Sequence, residues 1–303
     1  MQPLRGILLM ISAVSLFLVM SAFIKEAGRI PAGEAVFFRS AASLPVVIVW
    51  LVWLGNFPAG LRTANWKGHA VRGIAGSCAM GLGFAGLRYL PLPEVTAIRF
   101  ATPILIVLFA ALILGERLRL IRLSAVLVGL VGVMVVMWPR LSLEGGEGAL
   151  FGAIVTLGSA TLAALAQIFV KSMSARENTA AIVFYFTLTA ATLSLFTVPF
   201  GWVMPQGIEW VWLIGAGVIG GIGQILLTSS YRFADAGVLA PFTYVSMIWA
   251  IIVGYFWFNE VPTVPMLLGA ALVIAAGVAI VLRERQLGLR TAAERKVRAK
   301  GIQ

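Results

Sequence analysis

The dominant pattern along this chain is a series of long apolar runs separated by short polar connections. An apolar stretch of about 18 residues or more is long enough to cross a bilayer as a helix. The pattern predicts an all-α integral membrane protein with ten transmembrane helices, the fifth being the shortest. The predicted bounds are Leu4–Ile24, Ala35–Leu54, Ala70–Leu87, Val95–Leu114, Leu123–Trp138, Ala149–Val170, Ala180–Val203, Val211–Tyr231, Val238–Phe258 and Val264–Leu282.

The fourth run contains residues that interrupt an ordinary membrane helix. Pro91 and Pro93 form a stiff turn before it, and Arg99 and Pro103 lie inside it. Pro103 has no N–H, so the Arg99 carbonyl loses the hydrogen bond that it would accept in a regular helix. Such a carbonyl is tolerated at membrane depth mainly where protein or a water-lined cavity supplies a partner. The fourth run is therefore a candidate wall of an internal site.

Landmark residues recur in the second half at a nearly constant offset, which indicates a duplication. The pairs are Lys25 with Lys171, Arg88 with Arg232, Glu116 with Glu260, and Gly132 with Gly277, separated by 144 to 146 positions. Five helices per copy is an odd number, so the second copy must enter the membrane from the opposite side. We predict two inverted five-helix repeats, 4–138 and 149–282, followed by a basic tail, 283–303.

Composition and charge agree with a protein embedded in lipid. The chain is 60% hydrophobic and 12% charged, with a mean hydropathy of +0.99, whereas soluble domains are about 25% charged. Of the 23 Lys and Arg residues, 17 fall on the side that holds both predicted termini and four on the other. The positive-inside rule then places both termini in the cytoplasm. The net charge of +11 therefore reflects topology rather than nucleic-acid binding, and the tail is either an amphipathic surface helix or a solvated extension.

The residues needed for metal binding or acid–base catalysis are scarce. The chain has one aspartate, one histidine and one cysteine, which are Asp235, His69 and Cys78. Membrane-embedded enzymes usually need paired carboxylates, histidine ligands or a nucleophile with a base. We therefore expect no metal, no cofactor and no enzymatic activity. The glutamates lie near segment ends, so we also expect transport without proton coupling, which commonly uses a mid-membrane carboxylate.

Two arginines lie inside predicted spans, and each has two interpretations. Arg39 either snorkels outward or pairs with Glu34, or it faces a cavity. Arg99 either pairs with Glu94 or lines the pathway and attracts a substrate carboxylate.

The candidate site residues are polar, aromatic or helix-breaking positions in the fourth, sixth, eighth and ninth runs. The polar ones could also serve only as hydrogen bonds between helices. The predicted substrate-binding set is Arg99, Phe100, Thr102, Pro103, Gln167, Gln224, Thr243, Tyr244, Ser246 and Trp249.

The motif AIRFATPILIVLFAALILGERL, its echo beginning APFTYVSMIWA, and FFRSAASLP in the second run resemble the EamA-type branch of the drug/metabolite transporter superfamily. The resemblance covers nearly the whole chain. It implies ten helices in two inverted repeats and export of small metabolites by alternating access. The family includes exporters of aromatic amino acids with an apolar, aromatic cavity, a part that Phe100, Tyr244 and Trp249 would play here. Arg99 matches no general family motif.

These observations predict a multi-pass exporter in the bacterial inner membrane that moves amino acids, aromatic ones included, through a central cavity. The alternatives are export of a purine-like, carboxylate or amphiphilic compound, a membrane-embedded enzyme, or a structural protein without a cavity. The expected partners are a small-molecule substrate and the lipid bilayer but no nucleic acid, with the protein acting as a monomer or homodimer.

Overall fold

The chain folds into α-helices joined by short connections. The computed structural model describes residues 3–114, 120–141, 148–174, 176–234, 239–279 and 282, and within these ranges it contains no β-strand. The helices are α1 Pro3–Glu26, α2 Ala32–Trp53, α3 Trp66–Gly86, α4 Leu92–Arg99, α5 Ala101–Leu114, α6 Leu120–Leu141, α7 Ala149–Ser174, α8 Thr179–Leu195, α9 Glu209–Phe233, α10 Val245–Phe258 and α11 Val264–Ala279. The all-α prediction is confirmed for these residues.

Four helical stretches are long and apolar enough to cross a bilayer. They are Leu4–Glu26, Ala32–Trp53, Ala149–Val170 and Glu209–Phe233. The other predicted spans contain shorter or less apolar helices, so the number of ten remains a prediction. The described residues do not include Glu116, Asp235 or the basic tail 283–303.

The fourth run is divided, as its proline predicts. Helix α4 ends at Arg99, Phe100 leaves the regular helix, and α5 begins at Ala101. Pro103 cannot donate to the Arg99 carbonyl, so the hydrogen-bond ladder is interrupted there. The interruption separates a short first part, α4, from the longer α5.

The ninth run was expected to be one helix from Val238, and this is wrong. Residues Ala240–Tyr244 form a 3-10 helix, and the α-helix begins only at Val245. Pro241 lies in the first turn of the 3-10 helix, where it fixes φ and provides no N–H. Helices α5 and α10 therefore begin immediately after Phe100 and Tyr244, two residues that lie 144 positions apart.

Two other predicted bounds are also wrong, for local reasons. The seventh run ends at Leu195 instead of Val203, because a 3-10 turn containing Pro199 follows it and Gly201 adopts a φ of 89°. The third run begins earlier than Ala70. Asn65 caps it by accepting a hydrogen bond from the Gly68 N–H at 3.0 Å, which is a common way to start a helix.

Helices from the first half pack mainly into the second half. Helix α9 lies against α1 and α2, and α3 lies against α7 and α8. Glycines allow these close approaches: a Cβ at Gly217 of α9 would lie 2.8 Å from the Arg39 carbonyl, and one at Gly83 of α3 would lie 3.0 Å from the Ser159 hydroxyl. The two halves are therefore interleaved rather than separate bundles.

Helices α6 and α11 meet at small residues and expose apolar outer faces. A Cβ at Gly132 would lie 2.8 Å from the Gly269 carbonyl. A shallow groove of about 460 Å³ runs between the two helices and has an almost entirely apolar wall. Its lining residues are Val131, Met134, Val135, Trp138, Val264, Pro265 and Leu268. This surface suits lipid contact, and it contains none of the candidate site residues.

Candidate functional site

The two divided runs meet at a pair of aromatic rings. The rings of Phe100 and Tyr244 pack edge to face with centroids 5.0 Å apart, and both residues are buried. Gly277 of α11 closes the third side, because a Cβ there would overlap the Tyr244 hydroxyl. We call Phe100, Tyr244 and Gly277 the aromatic junction. It joins the interruption between α4 and α5 to the start of α10.

Arg99 lies next to the aromatic junction in the chain, and its side chain is exposed. Both interpretations of Arg99, a pairing with Glu94 and a position along the pathway, stay predictions.

The remaining candidates in the divided runs serve partly as helix contacts. The Thr102 hydroxyl donates to the Ala160 carbonyl on α7 at 3.3 Å, and the Ser246 hydroxyl donates to the Thr243 carbonyl within its own turn at 2.7 Å. Pro103 is half-buried, and Trp249 is 42% exposed. Of this group, only Trp249 therefore presents a large accessible surface.

The two glutamine candidates make contacts around α9. The Tyr231 hydroxyl donates to Gln167 Oε1 at 2.9 Å, which links α9 to α7. The buried Gln224 amide donates to the Thr228 hydroxyl at 3.4 Å, one turn along the same helix. Their described hydrogen bonds do not include the aromatic junction, so a shared site of the ten candidates stays a prediction.

An ion pair that was not foreseen joins α1, α4 and α10 on the side opposite the predicted cytoplasmic face. Lys25 Nζ donates to Glu260 Oε1 and, at 3.1 Å, to the Leu90 carbonyl, while the Leu92 N–H donates to Glu260 Oε2 at 2.9 Å. Both charged side chains are only 15% exposed. We call Lys25, Leu90, Leu92 and Glu260 the external latch. Lys25 and Glu260 both belong to residue pairs that recur between the two repeats, and this recurrence is the sequence feature that marks them.

A second ion pair on the same side lies at the surface. Arg29 contacts Glu209 with Nη2 and Oε2 2.6 Å apart. This hydrogen bond raises the pKa of Arg29, so the pair stays charged at any physiological pH. Exposed pairs of this kind contribute little to stability, which makes Arg29 a suitable control position.

Arg39 adopts neither of the arrangements expected of it near the membrane surface. It is 2% exposed and donates to the Gly220 carbonyl at 3.2 Å, while Glu34 accepts from the Val203 N–H at 2.8 Å. The expectation that Arg39 snorkels outward or pairs with Glu34 is therefore wrong. Small residues on α9 leave room for the guanidinium group inside the bundle. Arg72, in α3, is also buried.

Comparisons with known proteins agree with a membrane transporter. The chain is 30% identical to the pseudopaline exporter CntI of Pseudomonas aeruginosa over 280 residues, which covers 91% of this chain and 95% of that protein. It is 26% identical to the riboflavin transporter of Vibrio cholerae over 278 residues, or 90% and 91% of the two chains. The S-adenosylmethionine uptake transporter of Rickettsia prowazekii is 26% identical over 258 residues, or 85% of each chain.

A structure comparison addresses the fold, and a family comparison addresses the assignment. A solved crystal structure superposes with a TM-score of 0.67 at 21% identity and covers 93% of this chain and 98% of that one, which supports the fold. Residues 4–138 and 150–283 each match the EamA-like transporter family. Together these two matches span nearly the whole chain, and the protein therefore belongs to the EamA-like transporter family.

Proposed function

We propose that this protein exports a small organic metabolite across the bacterial inner membrane by alternating access, with its substrate site beside the aromatic junction. One observation carries the proposal: the two interrupted runs meet at the contact between Phe100 and Tyr244, and the exposed side chain of Arg99 lies beside it in the chain. A charge inside a membrane span is costly unless it faces protein or water, so we infer that Arg99 faces a chamber that holds a polar solute.

The inverted-repeat architecture is part of the proposal. Under a two-fold relation, α1 corresponds to α7, α2 to α8 and α3 to α9. The packing of α9 on α1 and α2 then corresponds to the packing of α3 on α7 and α8, which supports the relation. Phe100 and Tyr244 are equivalent residues that touch each other, as expected of residues beside a two-fold axis. We accordingly propose ten spans with both termini in the cytoplasm.

The external latch suggests which side is closed in this conformation. It fastens the ends of α1 and α10 to the turn before α4. We propose that the external latch opens when the transporter exposes its site to the outside. Rocking of two halves about a fixed site is the usual mechanism for inverted-repeat carriers.

Amino acids, aromatic ones included, are the first substrate class to test. The faces and edges of Phe100 and Tyr244 favour an aromatic or apolar group, and the Arg99 guanidinium favours a carboxylate. The relatives are named for pseudopaline, riboflavin and S-adenosylmethionine. Another small metabolite, purine-like, carboxylate-bearing or amphiphilic, is therefore the second candidate class. We propose export rather than uptake because the relative named for pseudopaline is an exporter.

Transport by purified protein in sealed vesicles tests the proposal. Vesicles are loaded with labelled tryptophan, and its efflux is measured against unlabelled competitors: other amino acids, riboflavin, a purine nucleoside and a dicarboxylate. We expect tryptophan efflux above that of protein-free vesicles, unchanged by Arg29→Gln and strongly reduced by Phe100→Ala. Failure of every amino acid to move or to compete would exclude the first substrate class. Failure of every compound would contradict the proposed site.

A further inference from the structure

The described buried side-chain atoms that lack a hydrogen-bond partner are concentrated on three helices. All of them belong to α2, α3 or α8, and α8 packs against both of the others. Buried polar atoms in folded proteins are almost always hydrogen-bonded, so their concentration in one place requires an explanation. The residues are Arg39, Ser40, His69, Arg72 and Thr187.

The two arginines of this set approach the same aromatic ring. The guanidinium carbon of Arg72 lies 3.9 Å from the centroid of Phe186, and that of Arg39 lies 5.9 Å from it. The two carbons are therefore at most 9.8 Å apart, the sum of these distances. Nε and Nη1 of both side chains lack partners, and the two positive charges repel each other.

Glycines provide the space that each guanidinium group occupies. A Cβ at Gly76 would overlap Arg72 Nη1, and a Cβ at Gly220 would lie 2.9 Å from Arg39 Nε. Gly76 lies one turn after Arg72 on α3, whereas Gly220 is on α9. The two glycines therefore leave space beside the guanidinium groups of Arg72 and Arg39.

Within the part of the chain that the structure describes, no ion pair neutralises either of these charges. The described ion pairs involve Lys25, Arg29 and His69 but neither of the two arginines. A ring face attracts a guanidinium group, yet this attraction is smaller than the cost of removing an unpaired charge from water. The pair therefore lacks an anion of matching size.

We propose that Arg39 and Arg72 bind one small oxyanion, a carboxylate or inorganic phosphate, between α2, α3 and α8. A guanidinium group is a planar fork of donors that matches two oxygens of such an anion. Ser40 is adjacent to Arg39 in the chain, and Thr187 is adjacent to Phe186, so their hydroxyls provide further donors. This site lies on other helices than the aromatic junction, and the proposal does not depend on what the protein transports.

Thermal unfolding of the purified protein in detergent tests the site without a transport assay. Sodium acetate and sodium phosphate are each compared with sodium chloride at equal ionic strength. At ten times the dissociation constant, we expect the better anion to raise Tm by about 2 °C. Arg39→Gln and Arg72→Gln should abolish this specific increase. Arg62→Gln, which changes an exposed arginine on a connection, should preserve it.

The comparison between variants is essential because phosphate also stabilises proteins without binding to a site. A response to acetate alone identifies a carboxylate ligand, and a response to phosphate alone identifies inorganic phosphate. The proposal would be overturned if sodium chloride raised Tm as much as the two test anions do. It would also be overturned if Arg39→Gln and Arg72→Gln showed the same increase in Tm as the unchanged protein. If Arg72→Gln yields no folded protein, Arg72→Lys takes its place in the test. Lysine keeps the positive charge but lacks the planar pair of N–H donors. It should weaken anion binding about tenfold, and unchanged binding would likewise refute the site.

Discussion

The ring of Phe100 packs edge to face against the ring of Tyr244 at 5.0 Å, although 144 positions separate them in the chain. Each residue immediately precedes an α-helix, α5 in one case and α10 in the other. This contact places the two interruptions of the membrane-embedded backbone side by side. A movement that changes one interruption must therefore be accommodated by the other.

The aromatic contact should be energetically coupled. In a double-mutant cycle with Phe100→Leu and Tyr244→Leu, we expect a coupling free energy of about 0.5 to 1.5 kcal/mol. The free energy of unfolding, measured for the purified protein in mixed detergent, provides the values. Phe23→Leu with Tyr244→Leu is a control pair, because Phe23 packs against Trp212 and Trp257 instead. Additive effects for Phe100 and Tyr244 would contradict a direct contact.

Arg99 should distinguish substrates by charge. We expect Arg99→Ala to reduce transport of carboxylate-bearing solutes by about tenfold to a hundredfold, the value of a charge-assisted hydrogen bond. Decarboxylated analogues of the same solutes should be affected much less. Vesicle efflux of tryptophan and tryptamine, measured side by side, makes the comparison. Equal losses for both would show that Arg99 has a structural role.

Breaking the external latch should open the protein toward the outside. A cysteine at Thr102, in a Cys78→Ser background, reports access by a membrane-impermeant thiol reagent. Glu260→Gln should increase its labelling rate from outside by about tenfold or more, because removing one partner of a mostly buried pair costs several kcal/mol. Arg29→Gln, which breaks only the surface pair, should leave the rate unchanged.

The polarity of the latch provides a sharper control. The Leu90 carbonyl faces Lys25 and the Leu92 N–H faces Glu260, so exchanging the two charges mismatches both backbone groups. Lys25→Glu with Glu260→Lys should therefore restore the closed state only in part. Full restoration would mean that the two backbone contacts contribute nothing, and no change in any variant would contradict a gating role.

Gly277 should be intolerant of even one added methyl group. In Gly277→Ala the new Cβ would overlap the Tyr244 hydroxyl, so the ring must leave its place. Overpacking of this kind costs about 1 to 3 kcal/mol, which thermal unfolding would detect. Tyr244→Phe removes the overlapping oxygen and should recover part of the loss. Gly81→Ala is the matched control, because its nearest neighbour would be 4.0 Å away.

Transport should not depend strictly on a proton gradient. The sequence provides no carboxylate near the middle of a predicted span, where proton-coupled carriers commonly hold one. Efflux from vesicles should therefore follow the substrate gradient with the same rate whether the pH is equal on both sides or differs by one unit. Loss of transport at equal pH would refute this expectation.

Structural features that depend only on residues close together in the chain could be predicted from the sequence. Pro103 predicted the interruption after Arg99, since the missing N–H is a property of the residue itself. The 3-10 start of the ninth run was missed although Pro241 is visible in the sequence. A proline in the first turn is also compatible with a regular α-helix. The choice between an α-helix and a 3-10 helix therefore depends on packing around Tyr244.

Contacts between distant segments could not be predicted in the same way. The burial of Arg72 depends on a helix start set by Asn65 and on the ring of Phe186, more than 100 residues later. The pairing of Lys25 with Glu260 joins opposite ends of the chain. Hydropathy cannot reveal such contacts, because it measures each segment alone and carries no information on which segments meet.

The interleaving of the two halves has a consequence for how the protein is made. Helix α1 leaves the ribosome first, but α9, on which it packs, follows about 200 residues later. Until then the face of α1 that packs on the glycines of α9 has only lipid beside it. Assembly therefore waits for the late helices, and a truncated chain ending after α6 should be cleared by quality-control proteases. Supplying the missing half as a separate polypeptide should rescue it.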